Sequence, residues 1–218
     1  MALRTANIVS KHASAAQLGD SVRECFGLAN STTVQGRALD ELHGFFEVAC
    51  LRGAIHDEVI QGLINKSTKK NIVNASCAAH AIAKLPAGKQ QDYLNKFIAL
   101  IKTENVDNKI QGAYCMGELG RIKDLSAFPK IIEIPSGLFV HAIEEVRLAG
   151  SISLGSMTVG NPDFFLDKVF ELLDKSQEKQ KYLFLYSIRD IIVHAPLCLK
   201  NYLNKLLPLL LAYSGAED

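Results

Sequence analysis

Three stretches decide the fold: Asn74-Ala-Ser-Cys-Ala-Ala79, Gly112-Ala-Tyr-Cys-Met-Gly117 and Gly150-Ser-Ile-Ser-Leu-Gly155. Each is 38 residues from the next, as the steps from Ala75 to Ala113 to Ser151 give directly. Small residues share columns: Ala75, Ala113 and Ser151; Cys77, Cys115 and Ser153; Ala79, Gly117 and Gly155. A weaker copy sits at Gly36-Arg37-Ala38, and another, shifted by about two residues, lies near Tyr186-Ser187-Ile188. A recurring stripe of small side chains lets one helix approach the equivalent helix of the next unit closely. That is the requirement of a stacked array and not of a closed bundle.

Working outward, apolar residues recur at helical spacing almost everywhere. Helices are expected over about 2–10, 14–28, 33–51, 56–66, 70–85, 88–102, 107–121, 125–133, 140–158, 162–175, 178–194 and 197–213. Short punctuators separate them: Gly53, Lys84-Leu85-Pro86, Pro135-Ser136-Gly137 and Gly160-Asn161-Pro162. No segment reads as a strand. Helices of this length are marginal alone and must stack on neighbours. First helices of a pair are bulky, as in Phe164-Phe165 with Val169-Phe170, and second helices are rich in small residues. Two helices per period near 40 give an all-α fold, an α-α superhelix (solenoid) of about five to six HEAT-type helix pairs. In that arrangement the first (A) helices form the convex outside and the second (B) helices line the concave inside. The approximate units are 1–28, 33–66, 70–102, 107–133, 140–175 and 178–213 of one HEAT-repeat segment spanning 1–218. Neither end carries a polar capping unit, which implies a piece of a longer solenoid. Asp107 is expected to cap the helix starting at Asn108, and Asn161-Pro162 to cap the one after it. Asp190, near Arg189 and Lys181, reads as a member of a surface pair.

Composition agrees with this reading. The chain has 218 residues, 48% of them apolar, and no Trp. That apolar share is too high for disorder, and 7% aromatics is too low for a β-sandwich. With 24 basic and 23 acidic side chains, no field marks a nucleic-acid or membrane-surface binder. Residues 1–109 carry 13 basic and 10 acidic groups and residues 110–218 carry 11 and 13, a mild polarity suited to a protein partner. Cys25, Cys50, Cys77, Cys115 and Cys198 are scattered and form no C-x-x-C, so buried reduced thiols are expected. No signal peptide opens the chain. The longest apolar run, Leu206 to Tyr213, is far short of the ~20 residues of a membrane span. The sequons at Asn30, Asn65 and Asn74 read as accidental.

No catalytic set emerges. Gly150-Ser-Ile-Ser-Leu-Gly155 is one residue too long for a nucleophile elbow and already belongs to the small-residue column. His141-Ala-Ile-Glu144-Glu145 begins like an inverted zincin motif, but Glu145 replaces the second His. Cys77-Ala-Ala-His80 supplies two ligands with no second pair, too few to hold zinc. Lys66, Lys69 and Lys70 form a small basic cluster, and Lys179 and Lys181 open a B helix at a turn where partners dock. The chain therefore reads as a non-enzyme with no metal, no cofactor and no small-molecule substrate.

Four blocks resemble one family. Glu144-Glu-Val-Arg-Leu-Ala-Gly-Ser-Ile-Ser-Leu-Gly-Ser-Met-Thr-Val-Gly-Asn161 resembles EE-[VI]-K-S-A-A-S-Y-A-L-G-x-I-x-V-G-N. Gln180-Lys-Tyr-Leu-Phe-Leu-Tyr-Ser-Ile-Arg-Asp-Ile-Ile192 is similar to K-[RK]-Q-Y-x-L-L-H-S-L-K-E-[VI]-I. Met116 to Ser126 is similar to L-G-E-[VI]-G-x-x-x-D-L-S, and Val34 to Leu39 with Phe45-Phe46 to L-Q-G-x-A-L followed by F-F. The family is that of the cullin-associated, neddylation-dissociated proteins, the cullin exchange factors, and the blocks keep its order over residues 34–192. The resemblance implies a place in the C-terminal half of a much longer HEAT array, in cytoplasm and nucleus, with no enzyme activity. It implies as partners a cullin lacking its ubiquitin-like modifier and the RING-box subunit, and as a role the assembly and substrate-receptor exchange of cullin–RING ubiquitin ligases. Arg147 stands where the family has Lys, and Gly150 and Ser153 replace Ala. The exposed B-helix positions expected to meet a partner are Lys109, Glu118, Arg121, Arg147, Lys181 and Arg189. The alternative on the same architecture is a nuclear transport receptor or phosphatase scaffold.

Overall fold

The computed structural model describes residues 4, 5, 8, 10–31, 33–68, 71–128 and 130–214. Among them are eleven α-helices and two 3-10 segments, and no strand beyond one isolated bridge between Thr68 and Asn71. In chain order the helices are α1 (Ala15–Ala29), α2 (Arg37–Leu51), α3 (Asp57–Asn65), α4 (Val73–Ile82), α5 (Ala87–Lys102) and α6 (Val106–Ile122). They continue with α7 (Glu133–Gly137), α8 (Glu144–Gly160), α9 (Pro162–Lys175), α10 (Glu178–His194) and α11 (Leu203–Ser214). The 3-10 segments Leu138–Val140 and Pro196–Tyr202 prolong α7 and precede α11. The helix expected over 2–10, and Lys69 and Lys70, lie wholly or largely outside the described residues.

Helix ends follow their local chemistry. Ser14 Oγ accepts from Gln17 N–H while Gln17 Oε1 accepts from Ser14 N–H at 2.9 Å, a capping box that starts α1. Asn161 Oδ1 accepts from Phe164 N–H at 3.2 Å, and Pro162 fills the first position of α9, as expected. The cap of α6 differs from expectation. Asn105 is the capping residue, accepting from Asn108 N–H at 2.9 Å, and Asp107 sits in the first turn, where its carboxylate meets the positive end of the helix. The helix expected over 125–133 is likewise displaced. Lys130, at φ 59°, lies in the left-handed region and breaks any helix there. The chain turns until Ile132, and Pro135-Ser136-Gly137, expected as punctuation, lies inside α7. Pro135 is the third residue of α7, within the first turn, whose N–H groups have no partner inside the helix.

The helices form two layers. α2, α4, α6, α8 and α10 stack in succession, each against the next, and α1, α3, α5, α7 and α9 cover them from one side. Burial separates the layers. α9 buries a single stripe, Phe165, Leu166, Val169, Phe170 and Leu173, and leaves its other face to water. α6 buries every residue from Gly112 to Gly120, because it is flanked by α4, α5 and α8 at once. This is the two-layer solenoid read from the 38-residue step. The helices pair as α1 with α2, α3 with α4, and so on; the cut between units in a continuous stack is a matter of phase.

The small-residue columns are the contacts between inner helices. A side chain at Gly117 would meet Ser153 Cα of α8 at 2.7 Å, and one at Gly155 would meet Ser187 O of α10 at 2.7 Å. The shifted fifth copy at Ser187 is thus the true continuation of the column. Buried hydroxyls stitch the same interface. Ser151 Oγ donates to Leu183 O at 2.5 Å, and Ser187 Oγ donates to Ser151 O at 2.8 Å. The apolar core divides in two. One cluster runs from Leu18 to Phe165; the other gathers Phe139, Leu154, Phe170, Phe184 and Ile188 among others, and α8 contributes to both. Cys25, Cys50, Cys77 and Cys115 are buried free thiols, whereas Cys198, expected to be buried as well, is free but only half-buried; burial pushes the thiols of Cys25 and Cys115 up to about 12. Asn74 is fully buried, so its sequon cannot carry a glycan in this fold. No helix among the described residues is long and apolar enough to cross a membrane.

Candidate functional site

All five B helices, and no A helix, line one groove of about 840 Å³. It therefore runs along the inner face of the stack. Its floor is polar and repeats with the fold. His43, His80, Glu118 and Asp190 line it, and the buried Ser156 holds the α8 position between the last two, at steps of 37, 38, 38 and 34 residues, one per B helix. His80, Glu118 and Ser156 are the column adjacent to Ala79, Gly117 and Gly155.

At one end, the His43 and His80 rings stack with centroids 3.9 Å apart. His80 Nδ1 meets Glu47 Oε1 at 2.7 Å, His43 Nε2 meets Ser76 Oγ at 2.8 Å, and Lys84 Nζ pairs with Glu47 at 3.0 Å. Burial, then the adjacent His80, pushes the His43 pKa down to about 3 against the pull of Glu47. Glu47 lies below the usual carboxylate range: burial raises it, but hydrogen bonds from His80 and Lys84 outweigh burial. For His43 the folded state binds fewer protons than the unfolded chain between about pH 3 and 6.5, so stability is full above that window and falls as pH drops through it. At pH 4.5 the loss is expected to reach about 2 kcal/mol. Urea midpoints at pH 7.5 and 4.5 test this: His43→Gln should flatten the difference, and an equal loss in wild type and variant refutes the assignment.

At the centre, Arg121 of α6 reaches across α8 to α10. Its Nη2 donates to Ser156 Oγ at 2.6 Å, to Asp190 Oδ2 at 3.0 Å and to Glu118 Oε1 at 3.2 Å. Ser156 Oγ stands 3.2 Å from Asp190 Oδ2, and His194 Nε2 stands 3.4 Å from Asp190 Oδ1. The side chains of Arg121, Glu118 and Asp190 are only 20%, 10% and 17% exposed. Burial alone would lower the Arg121 pKa, yet the two carboxylates hold it above its ordinary value. This corrects the surface pair expected for Asp190: its partner is Arg121, 69 residues earlier in sequence, and neither Arg189 nor Lys181.

The six residues expected to meet a partner are not one constellation. Glu118, Arg121 and Arg189 line the groove, the first two locked in the ionic knot and Arg189 exposed and, among the described residues, in no ion pair. Lys109 Nζ donates to Ile101 O at 3.2 Å and closes the end of α5. Lys181 pairs with Glu178 at 2.7 Å. Arg147 Nε donates to Tyr182 Oη at 3.1 Å, and its Nη1 to His141 O and Ala142 O at 2.9 Å each. The groove also presents apolar side chains that sequence reasoning passed over: Tyr186 is 42% exposed and Val193 64%. The signal that finds the polar ladder is the 38-residue column, read one position further. Lys66 is seated over the Phe26 ring, 4.7 Å from its centroid.

Among the described residues no group of three or more His, Cys, Asp or Glu is placed to hold a metal ion. Glu144 and Glu145 are exposed and stay outside the cavity that His141 lines, and Cys77 is buried.

No protein-family model matches the chain. Among curated proteins it is 26% identical over 234 residues to Cullin-associated NEDD8-dissociated protein 1 of Arabidopsis thaliana, covering 99% of this chain and 19% of the relative. The protein of the same name from Dictyostelium discoideum is 23% identical over 94% of this chain, with 18% of its own length covered. That from Drosophila melanogaster is 29% identical over 44% of this chain. The chain thus spans about a fifth of the length of the first two relatives. Along nearly its whole length, the chain is similar to one segment of a cullin-associated NEDD8-dissociated protein.

Proposed function

We propose that this chain is a non-enzymatic scaffold segment that holds an unmodified cullin in the inner groove of its B helices. The observation that carries the reading is the end-to-end similarity to proteins whose name states cullin association, on a stack with one continuous groove across five repeats. Binding is non-covalent. Exposed Arg189, Tyr186 and Val193 offer charge and apolar area, while the Arg121 knot keeps the groove in shape. In a longer array each such segment adds a contact, and linked contacts raise effective concentration. Competition at one contact then loosens the others, because linked binding is reciprocal. This is the physical basis on which the segment would serve substrate-receptor exchange on cullin–RING ligases, with the RING-box subunit as a second partner, in cytoplasm and nucleus.

Arg189→Glu combined with Val193→Asp is expected to weaken binding of unmodified cullin about tenfold. The measurement is a titration of the immobilised chain, with Lys102→Glu on the outer layer as the control that should not change it. Equal affinity for all three proteins would overturn the reading. Recovery of a small GTPase or phosphatase subunit from a pull-down, with no cullin, would replace it.

A further inference from the structure

A second cavity, of about 460 Å³, opens at the edge of the stack where the 3-10 turn Leu138–Val140 and the starts of α8 and α10 converge. Its charged lining is of one kind, Arg147 and Lys179, with the imidazole of His141 beside them and no carboxylate. The acids of the same turns stand elsewhere. Glu178 pairs with Lys181 at 2.7 Å, and Glu144 and Glu145 do not line the cavity. Arg147 is held in place by three hydrogen bonds. These come from Nε and Nη1 only, to Tyr182 Oη and to the carbonyls of His141 and Ala142, so its Nη2 remains as an oriented donor. His141 Nδ1 accepts from Ile143 N–H at 3.1 Å, which places the proton of the neutral ring on Nε2, a second donor. Lys179 is exposed beside them, and Val140, 75% exposed, forms an apolar ledge, while Phe139 in the same lining is buried.

We propose that this cavity is a docking site for an acidic segment of a protein partner, a run of Asp or Glu next to an apolar residue. A guanidinium edge already fixed by its other nitrogens loses little freedom on meeting a carboxylate. The imidazole N–H and the lysine supply further donors, and the exposed Val140 takes the neighbouring apolar side chain. The ledge is what selects a peptide over a free anion. The site adjoins the inner groove, since the Tyr182 ring meets that of Tyr186 edge to face at 6.4 Å, but it shares no lining residue with the groove and stands whether or not that groove holds a cullin.

The test is fluorescence anisotropy of the 218-residue chain with a fluorescein-labelled peptide, Gly-Leu-Asp-Glu-Asp-Leu-Gly. Saturable binding that weakens with added salt is expected. Gln177→Glu with Lys179→Glu, both at exposed positions, should weaken it about tenfold, while Arg189→Glu in the inner groove should leave it unchanged. In parallel, the Nε–H resonance of Arg147 should shift on titration, which reads the site without altering it. No saturation, equal binding of a peptide with Lys in place of the acids, insensitivity to the double substitution, or an unmoved Arg147 resonance would each overturn the proposal. Binding of a phosphoserine peptide but not of the carboxylate peptide would overturn the assignment of an acidic segment.

Discussion

Gly117→Ala is expected to destabilise the chain by about 2 kcal/mol, although alanine is the better helix former. The reason is backbone against backbone. A Cβ at Gly117 stands 2.7 Å from Ser153 Cα, and no rotamer change relieves a contact with a helix backbone. α6 and α8 must separate, and the interfaces of α8 with α7 and α10 resist that separation. Gly19→Ala on α1 is the matched control, because its Cβ would meet nothing within 4 Å. There the substitution is expected to stabilise by roughly 1 kcal/mol. Urea unfolding followed by circular dichroism reads both. A Gly117→Ala protein as stable as wild type would mean that the glycine does not set the approach of the two inner helices.

Arg121→Ala is expected to cost about 3 kcal/mol. The Arg121 guanidinium neutralises both Glu118 and Asp190, whose side chains are 10% and 17% exposed, and its removal strands two carboxylates together. The arginine's own 20% exposure places the loss at the lower end of the range for buried pairs. Adding Asp190→Asn should recover part of it, since one stranded charge disappears; a double-mutant cycle measures the coupling. A loss below about 0.5 kcal/mol would make the knot equivalent to an exposed ion pair.

Much of this was legible from spacing. The small columns at Ala79, Gly117 and Gly155 mark inner-helix contacts because only small side chains let two helix axes come so close, and that requirement recurs wherever the geometry recurs. Helix limits over 162–175 and 178–194 follow from the Asn161 cap with Pro162 and from apolar periodicity. The 125–133 stretch was misread because its apolar residues fit a helix, whereas the left-handed Lys130 that stops it has no signature in side-chain pattern. Asp190 was misread for another reason. Neighbours at three or four positions are visible in one helix, but its partner lies two repeats back, on the far side of α8. The stacked pair His43 and His80 escaped notice as two isolated residues, although their 37-residue separation is the repeat itself.

The sharing of α8 between two apolar clusters has a mechanical consequence. Nearest-neighbour stacks open from their ends in sub-global steps. Amide protons of α10 are therefore expected to exchange with solvent on a different timescale from those of α2 to α6, which native-state hydrogen exchange reads. What resists that fraying is the serine stitching between α8 and α10, together with the one side chain that bypasses α8, Arg121, which clamps the outermost inner helix to the first cluster. The knot thus acts as a tension member between the two apolar clusters.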